Sequence, residues 1–465
     1  MRYTILFLIV ATISFAPTVS GQATDTTAHL PALQVTVTRS ETPISALGAA
    51  VTVIDSGAVH RGRLATGLDE ALAFVPGVIA ENRWNYSVDE RIAIRGFGAR
   101  SNFGLRGITV LLDGVPQTLP DGQSQLNNVD LSLVSRIEVL RGGASSLYGN
   151  AGGGVIALTT SAVPPAPWQV SARTEAGTFG TSKNELVAAG RSGDVGGTIA
   201  VSRFYTSGFR QQSGTEQRQL SLALDWSARP ATTFTVRLES ADDPHARNPG
   251  ALTAGEYAAN PDSASAFNIR RGADKAVTQT QLAIGMRHDA GRVHVDATLF
   301  GIARGLENPL ATPPPAPATA NEGTWVSIDR RLGGGHATAT IDLRGPTLTA
   351  GIEAQSLRDH RTNRRSVDGA RTDTLLLDQQ ERVAEEAAFA TIAWPLTAAL
   401  SVHGGARRDI NRFSATDHFL SDGDASGSRT LQATSGSGGI ALRLGDNGVA
   451  WSDVATVFET PTTTE

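Results

Sequence analysis

The chain has 465 residues, a formal net charge of −5 and no cysteine, and 40% of its residues are hydrophobic. The lack of cysteine excludes disulfides, thiolate catalysis and cysteine-ligated zinc, and mild acidity without a basic stretch argues against a nucleic-acid partner. No apolar run of about 20 residues follows the N-terminus, which excludes a helical membrane protein. A membrane β-barrel stays compatible, because its strands alternate between two environments.

The first 23 residues have the pattern of a secretory signal peptide. Arg2 is followed by an apolar stretch from Thr4 to Ala16 and then by small residues, with cleavage expected after Gly21 or Ala23. A membrane anchor is the alternative, but the apolar run is too short to span a bilayer.

Residues 24–40 read as a polar extension, and residues 41–162 as a small α+β domain. The extension ends in an alternating, uncharged stretch: Leu33, Gln34, Val35, Thr36, Val37 and Thr38. Within the domain, Val51 to Ile54 predicts a strand and Leu64 to Phe74 has helical spacing up to Pro76. The proline-rich segment 163–167 predicts a boundary, because proline breaks both helices and sheet ladders.

From residue 168 to 465 the pattern changes to period two, as in the alternation of Leu220, Leu222 and Leu224 with polar residues. We count about thirteen strands, with Thr324 to Leu343 taken as one long strand. Short and long connections alternate strictly; the segment from Asp359 to Arg382 is among the long ones. This alternation is typical of outer-membrane barrels, in which tight turns join the strands at one end and long loops join them at the other.

Five motifs of the small domain occur in one order. They are Leu68 to Leu72 with Val75 to Val78, Ile94 to Gly98, Leu112 to Pro116 with Pro120 to Gln123, Arg136 to Gly142, and Ser145 to Ile156. In this order the chain resembles the TonB-dependent outer-membrane receptors, with a leaning towards ferric-citrate and siderophore receptors. One departure is Gly143, where the family usually has proline.

The resemblance implies an α+β plug domain inside a transmembrane antiparallel β-barrel. Barrels of this family have the 22-stranded, plugged form, so about thirteen strands lead us to expect a C-terminally truncated chain. The implied function is import of a ferric chelate, a siderophore or ferric citrate, across the outer membrane of a Gram-negative cell. Haem and cobalamin remain open as ligands, and the alternative is a non-transporting surface binder or a truncated remnant.

The stretch from Leu33 to Thr38 resembles the TonB box, the segment captured by the TonB–ExbB–ExbD energy-coupling complex. An extended, β-prone stretch on a polar tether suits strand addition to a partner. The alternative is that it forms the first strand of the plug.

The resemblance also implies a plug–barrel lock of plug arginines and barrel glutamates, for which we name Arg95, Arg141, Glu385 and Glu386. The alternative places both arginines in lumen water. Ligand contacts are expected on the apical plug loops, where arginine beside aromatic side chains suits an anionic chelate. The candidates are Arg83, Trp84, Tyr86, Arg100, Asn102, Phe103, Gln117 and Gln123.

Other chemistry finds little support in the sequence. The glycines between Gly142 and Gly154 lack the lysine and hydroxyl residue of a phosphate-binding loop, and the nine histidines have no metal-ligand spacing. We therefore expect no catalytic residue, no metal site and no cofactor, with iron present only in the transported chelate. The expected partners are the coupling complex, the chelate and outer-membrane lipid.

Overall fold

The computed structural model describes residues 33–462, with gaps at residues 83, 102, 103, 125, 127, 446 and 447. The predicted signal peptide lies outside the described residues. The described part has two bodies: a small N-terminal domain, here called the plug, and one large antiparallel sheet, here called the barrel sheet.

Short strands and helices form the plug. The strands are β1 (Gln34–Val35), β2 (Thr42–Pro43), β3 (Ala50–Asp55), β4 (Val78–Glu81), β5 (Arg91–Ile94), β6 (Ile108–Leu112), β7 (Val115–Pro116), β8 (Val134–Arg141) and β9 (Gly154–Thr160). The helices are α1 (Ser56–His60), α2 (Leu68–Leu72) and α3 (Ser145–Tyr148), with 3-10 turns at Ile44–Ala46 and Leu131–Leu133. The predicted helix from Leu64 is therefore confined to α2.

A five-stranded sheet in the order β3-β8-β9-β6-β7 organises the plug, and only β6 and β9 run parallel. Strand β6 is buried along its whole length, as its uninterrupted apolar sequence predicts. Helix α2 packs Leu68, Ala71 and Leu72 into the same core. This core fixes the chain segments that carry the predicted site residues.

Thirteen consecutive antiparallel strands form the barrel sheet. They are β10 (Gln169–Ala176), β11 (Ser182–Ser192), β12 (Val195–Thr206), β13 (Thr215–Arg229), β14 (Thr232–Ala246), β15 (Ala276–Ala290), β16 (Val293–Leu310), β17 (Glu322–Asp342), β18 (Thr347–Val367), β19 (Ala370–Pro395), β20 (Leu400–Asp417), β21 (Gly427–Leu444) and β22 (Gly448–Ala455). Each strand pairs with its neighbour in sequence, and β10 and β22 are the two edges, so the barrel is not closed over the described residues. The predicted fold class and strand number are confirmed, including β17 as one long strand.

Tight turns join the strands at one end of the sheet, and long connections join most of them at the other. The connection between β14 and β15 contains helices α4 (Ala254–Ala259) and α5 (Ala266–Arg270). The expected long loop from Asp359 to Arg382 is wrong: β18 and β19 continue as one hairpin closed by Asp368 and Gly369. Both turn residues have positive φ, +49° and +79°, which is the Asp-Gly turn that matches strand twist.

The two faces of the barrel sheet meet different surroundings. Inward side chains such as Phe300, Leu332 and Leu357 pack on Val115 and Leu119 of the plug. Outward side chains are exposed, and the exposed tryptophans Trp168, Trp226, Trp394 and Trp451 lie near the tight-turn end. Aromatic residues at that height are typical of a membrane interface.

No helix in the described part of the chain is long and apolar enough to cross a membrane.

Candidate functional site

The stretch predicted as the TonB box is packed against the plug. Residues Gln34 and Val35 pair with Thr42 and Pro43 in a short antiparallel ladder. Val35 and Val37 are 0% and 1% exposed. Burial of these two side chains fixes which face of the stretch meets the plug, because alternate residues of an extended chain point to opposite sides.

Glu138 of strand β8 anchors this stretch. Its Oε2 accepts hydrogen bonds from the backbone N–H groups of Thr36 and Val37, both at 2.8 Å. Arg136 forms an ion pair with the same carboxylate at 2.8 Å and also donates to the carbonyl of Gln34. A carboxylate that accepts several charge-assisted hydrogen bonds is a strong attachment point.

Arg39 follows directly and connects this stretch to the barrel sheet. Its backbone has a positive φ of +71°, a conformation that surrounding contacts must hold in place. The guanidinium lies 3.8 Å above the ring centroid of Tyr148 and donates to the carbonyl of Leu147 at 3.1 Å. It also forms an ion pair with Glu353 of strand β18. Burial raises the pKa of the Tyr148 hydroxyl, so this ring stays neutral beneath the cation.

Arg407 of strand β20 lies beside Arg39 at the inner face of the barrel sheet. It forms ion pairs with Glu353 at 2.6 Å, Asp409 at 2.7 Å and Glu385 at 3.3 Å. Its side chain is fully buried, and it donates to the Leu147 carbonyl at 3.2 Å. We call these two arginines and three carboxylates the coupling cluster.

The coupling cluster brings two guanidinium groups and three carboxyl groups together in a place shielded from water. Charges buried in this way are tolerated only while each has partners. Removal of Arg39 would leave three carboxylates with Arg407 alone. The position of Arg39, and hence of the stretch before it, is therefore linked to the stability of the cluster.

The predicted lock residues are not brought together. Arg141 donates to the Pro76 carbonyl at 2.5 Å and to Thr52 Oγ1 at 3.2 Å, both within the plug. Partial burial, with the nearby Arg95 guanidinium, lowers the pKa of Arg141. Arg95 is exposed, and neither arginine forms an ion pair with a carboxylate among the described residues.

Of the two predicted barrel glutamates, only Glu385 faces the plug. It joins the coupling cluster through Arg407 and accepts a hydrogen bond from Gln355 at 2.6 Å. Glu386 lies on the opposite, outward face and pairs with Arg412 at 2.8 Å. Adjacent strand residues point to opposite faces, so the two glutamates cannot share one lock.

The predicted ligand residues fall into two groups. Trp84 is 57% exposed, Arg100 is exposed and Gln123 is partly exposed, so these three remain available to a ligand. Tyr86 instead packs against Phe204 with ring centroids 5.5 Å apart, and burial raises its pKa to about 12. Gln117 is 4% exposed and donates to Gln281 on β15 at 3.1 Å.

Arg83, Asn102 and Phe103 lie outside the described residues. Tyr86 and Gln117 make plug–barrel contacts among the described residues, and their role as ligand contacts stays a prediction.

Residues of the coupling cluster other than Glu385 escaped the sequence analysis. Arg407 and Asp409 stand two apart in strand β20, and Glu353 and Gln355 stand two apart in β18. Charged side chains repeated at period two on one face of a barrel strand are the signal that could have found them. Among the described residues no group of three or more His, Cys, Asp or Glu could hold a metal ion.

Comparisons with known proteins bear on the plug and the barrel sheet separately. Residues 43–155 match the TonB-dependent Receptor Plug Domain family. A hemin receptor of Yersinia pestis is 31% identical over 211 residues, which are 43% of this chain and 29% of the relative. The chain thus spans under a third of that relative's length.

Two solved structures share the fold. The unliganded ferric citrate transporter FecA superposes with a TM-score of 0.76 at 18% identity, over 91% of this chain and 64% of the transporter. The ferric yersiniabactin uptake receptor FyuA of Yersinia pestis gives a TM-score of 0.69 at 17% identity, over 88% and 64%. The chain therefore spans slightly less than two thirds of each.

Proposed function

We propose that this chain, which belongs to the TonB-dependent receptor family, gates the TonB-driven import of an iron chelate across the outer membrane. A structural relative, the ferripyoverdine receptor of Pseudomonas aeruginosa, is a protein of the outer membrane. The single observation that supports gating most strongly is the double attachment of residues 33–39, to Glu138 inside the plug and to Glu353 in the barrel sheet.

A pulling force on residues 33–39 would break their contacts with the plug and the barrel sheet one after another. Force applied to Leu33 would first break the short ladder with β2 and the bonds to Glu138. It would then draw Arg39 from Glu353 and Tyr148. Loss of one arginine leaves the carboxylates of the coupling cluster poorly compensated, and helix α3, which carries Tyr148, loses a contact that holds it to β18.

An iron chelate is the ligand class that the relatives support: their names specify hemin, ferric citrate and ferric yersiniabactin. Exposed Trp84 and Arg100 on the apical loops offer a stacking surface and a positive charge for an anionic chelate. We propose residues 24–40 as the extension captured by TonB, 41–162 as the plug and 168–465 as barrel.

Val35→Pro tests this proposal. Proline removes the backbone donor of residue 35 and cannot join a strand added to a partner, so uptake of radioactive iron as citrate, hydroxamate chelate and haemin should be lost. Binding of the same chelates at the cell surface should persist.

Glu41→Gln, at an exposed side chain outside residues 33–38, is the control and should transport normally. Uptake by the Val35→Pro variant at the wild-type rate would contradict the proposal. Chelate binding that never leads to uptake, even by the wild type, would favour a non-transporting surface binder.

A further inference from the structure

Four neighbouring strands carry an outward-facing arginine at the same height. These residues are Arg331 on β17, Arg358 on β18, Arg382 on β19 and Arg412 on β20, and all are exposed. Each lies roughly 11 to 13 residues from the tight-turn end of its strand. We call them the arginine belt.

The outward direction of the belt follows from its neighbours. Arg330 and Leu332 flank Arg331 and are buried, and Leu357 and Asp359 flank Arg358 in the same way. Alternation therefore turns the arginines away from the plug. The belt plays no part in the coupling cluster, which lies on the inner face.

Three belt arginines are direct cross-strand neighbours. Arg331 is paired in register with Arg358, and Arg358 with Arg382. Like charges directly opposite one another destabilise a sheet. Arg358 and Arg382 have no hydrogen bond or ion pair with any described residue, so within the described chain nothing compensates this repulsion.

The nearby acidic groups do not neutralise the belt. Asp329 lies 4.0 Å from Arg331, and both side chains are at least 70% exposed, which makes the pair weak. Asp378 is bound to His360 at 2.8 Å. Glu386 pairs only with the fourth arginine, Arg412. Among the described residues Arg358 and Arg382 therefore lack an anionic partner, and Arg331 has only the weak pair with Asp329.

The height of the belt identifies that partner as a lipid. A strand of about 11 residues, with a rise of roughly 3.4 Å per residue and a tilt of about 40° from the barrel axis, places the belt about 28 Å above the tight turns. The lipid-facing band of such barrels is about 25 Å tall. Below the belt the outward residues of β17 and β18 are apolar or small: Gly333, Gly335, Ala337, Ala339, Ile341, Leu348, Ala350, Ile352, Ala354 and Ser356.

Acyl chains thus lie against the wall below the belt, and headgroups meet the arginines. The long connections mark this end as the outer one. We propose that Arg331, Arg358 and Arg382 form a binding site for the phosphate groups of an outer-leaflet lipid. Guanidinium groups suit phosphate because they bind it through paired, charge-assisted hydrogen bonds.

The experiment measures binding of diphosphoryl lipid A to the full-length, detergent-purified protein by native mass spectrometry. A dephosphorylated lipid A is titrated in parallel, and inorganic phosphate is added as a competitor. Wild-type protein should bind the diphosphoryl form far more tightly than the dephosphorylated form. The triple variant R331Q/R358Q/R382Q should bind it roughly 30- to 100-fold more weakly.

Two further variants control for charge and folding. R331K/R358K/R382K keeps the charge but loses the paired hydrogen bonds, so it should bind more weakly than the wild type and more tightly than the glutamine variant. This result also separates charge loss from misfolding. R229Q/R292Q/R344Q removes three exposed arginines at the tight-turn end and should bind as the wild type does.

Three results would overturn the proposal: wild-type affinity in the glutamine belt variant, an equal loss in the tight-turn variant, or equal affinity of the wild type for dephosphorylated lipid A. Displacement of the lipid by millimolar inorganic phosphate would also contradict it, by indicating a site for a free anion.

Discussion

Glu138 holds the predicted TonB box, and Glu138→Gln should release it. The substitution keeps one oxygen acceptor but removes the charge that strengthens the bonds to Thr36, Val37 and Arg136. A hydrogen bond to a charged group contributes about 1.5–3 kcal/mol. Loss of about 2–3 kcal/mol corresponds to a population of the released state that is roughly 30- to 150-fold larger.

The absence of cysteine makes this measurable with a single spin label. Leu33→Cys places the label on the exposed side chain of the first residue of the predicted box, where electron paramagnetic resonance reports its mobility. The Glu138→Gln background should convert a largely immobile spectrum to a mobile one.

Glu41→Gln removes an exposed carboxylate close in sequence and should leave the spectrum unchanged. An immobile label in a folded Glu138→Gln variant would refute the assignment of Glu138 as the anchor.

Three further predictions follow from the same contacts. Glu353→Gln removes the carboxylate partner of Arg39 and one of the three carboxylate partners of Arg407, and it should destabilise plug docking by about 3–5 kcal/mol in urea unfolding. Glu386→Gln on the outward face should change little, and equal effects of the two substitutions would contradict the cluster. Gly154 has a φ of +141°, and Gly154→Ala would place a Cβ 2.1 Å from the Leu140 carbonyl oxygen. This substitution should destabilise the plug by more than about 2 kcal/mol in thermal unfolding. Gly255→Ala, whose Cβ would meet no atom within 4 Å, should be neutral in the same measurement. Burial, with the adjacent Asp69 carboxyl, raises the pKa of Glu90 above its ordinary 4.5, so the folded plug retains a proton that the unfolded chain releases. The stability of the plug, measured as protection of α2 from hydrogen exchange, should therefore fall as pH rises above 4.5. The same pH dependence in Glu90→Gln would show that another group is responsible.

The architecture was predictable from the sequence because two of its signals are local: apolar and polar residues alternate along each strand, and short and long connections alternate between strands. The count of thirteen strands and the single strand β17 both follow from them. The hairpin of β18 and β19 was missed because polar residues between Asp359 and Arg382 resemble a loop, although Asp368 and Gly369 are a hairpin signal.

The site was less predictable, because it depends on which strand face is turned inward. Glu385 and Glu386 must point to opposite faces, yet both faces of β19 carry alanine nearby, so the sequence does not identify the inward one. Contacts between residues far apart in sequence, such as Arg39 with Glu353, leave no local pattern. Tyr86 and Gln117 similarly have the composition of loop contacts, and only tertiary packing turns them into the barrel sheet.

The assignment of residues 33–38 as the segment captured by TonB is most directly tested by photo-crosslinking in cells. A photoreactive amino acid replaces Leu33, and the same substitution at Leu420, an exposed residue near the long-connection end, is the control. We predict a covalent adduct with TonB from position 33 that increases when haemin or ferric citrate is imported, and none from position 420. Import without any adduct at position 33 would contradict the assignment.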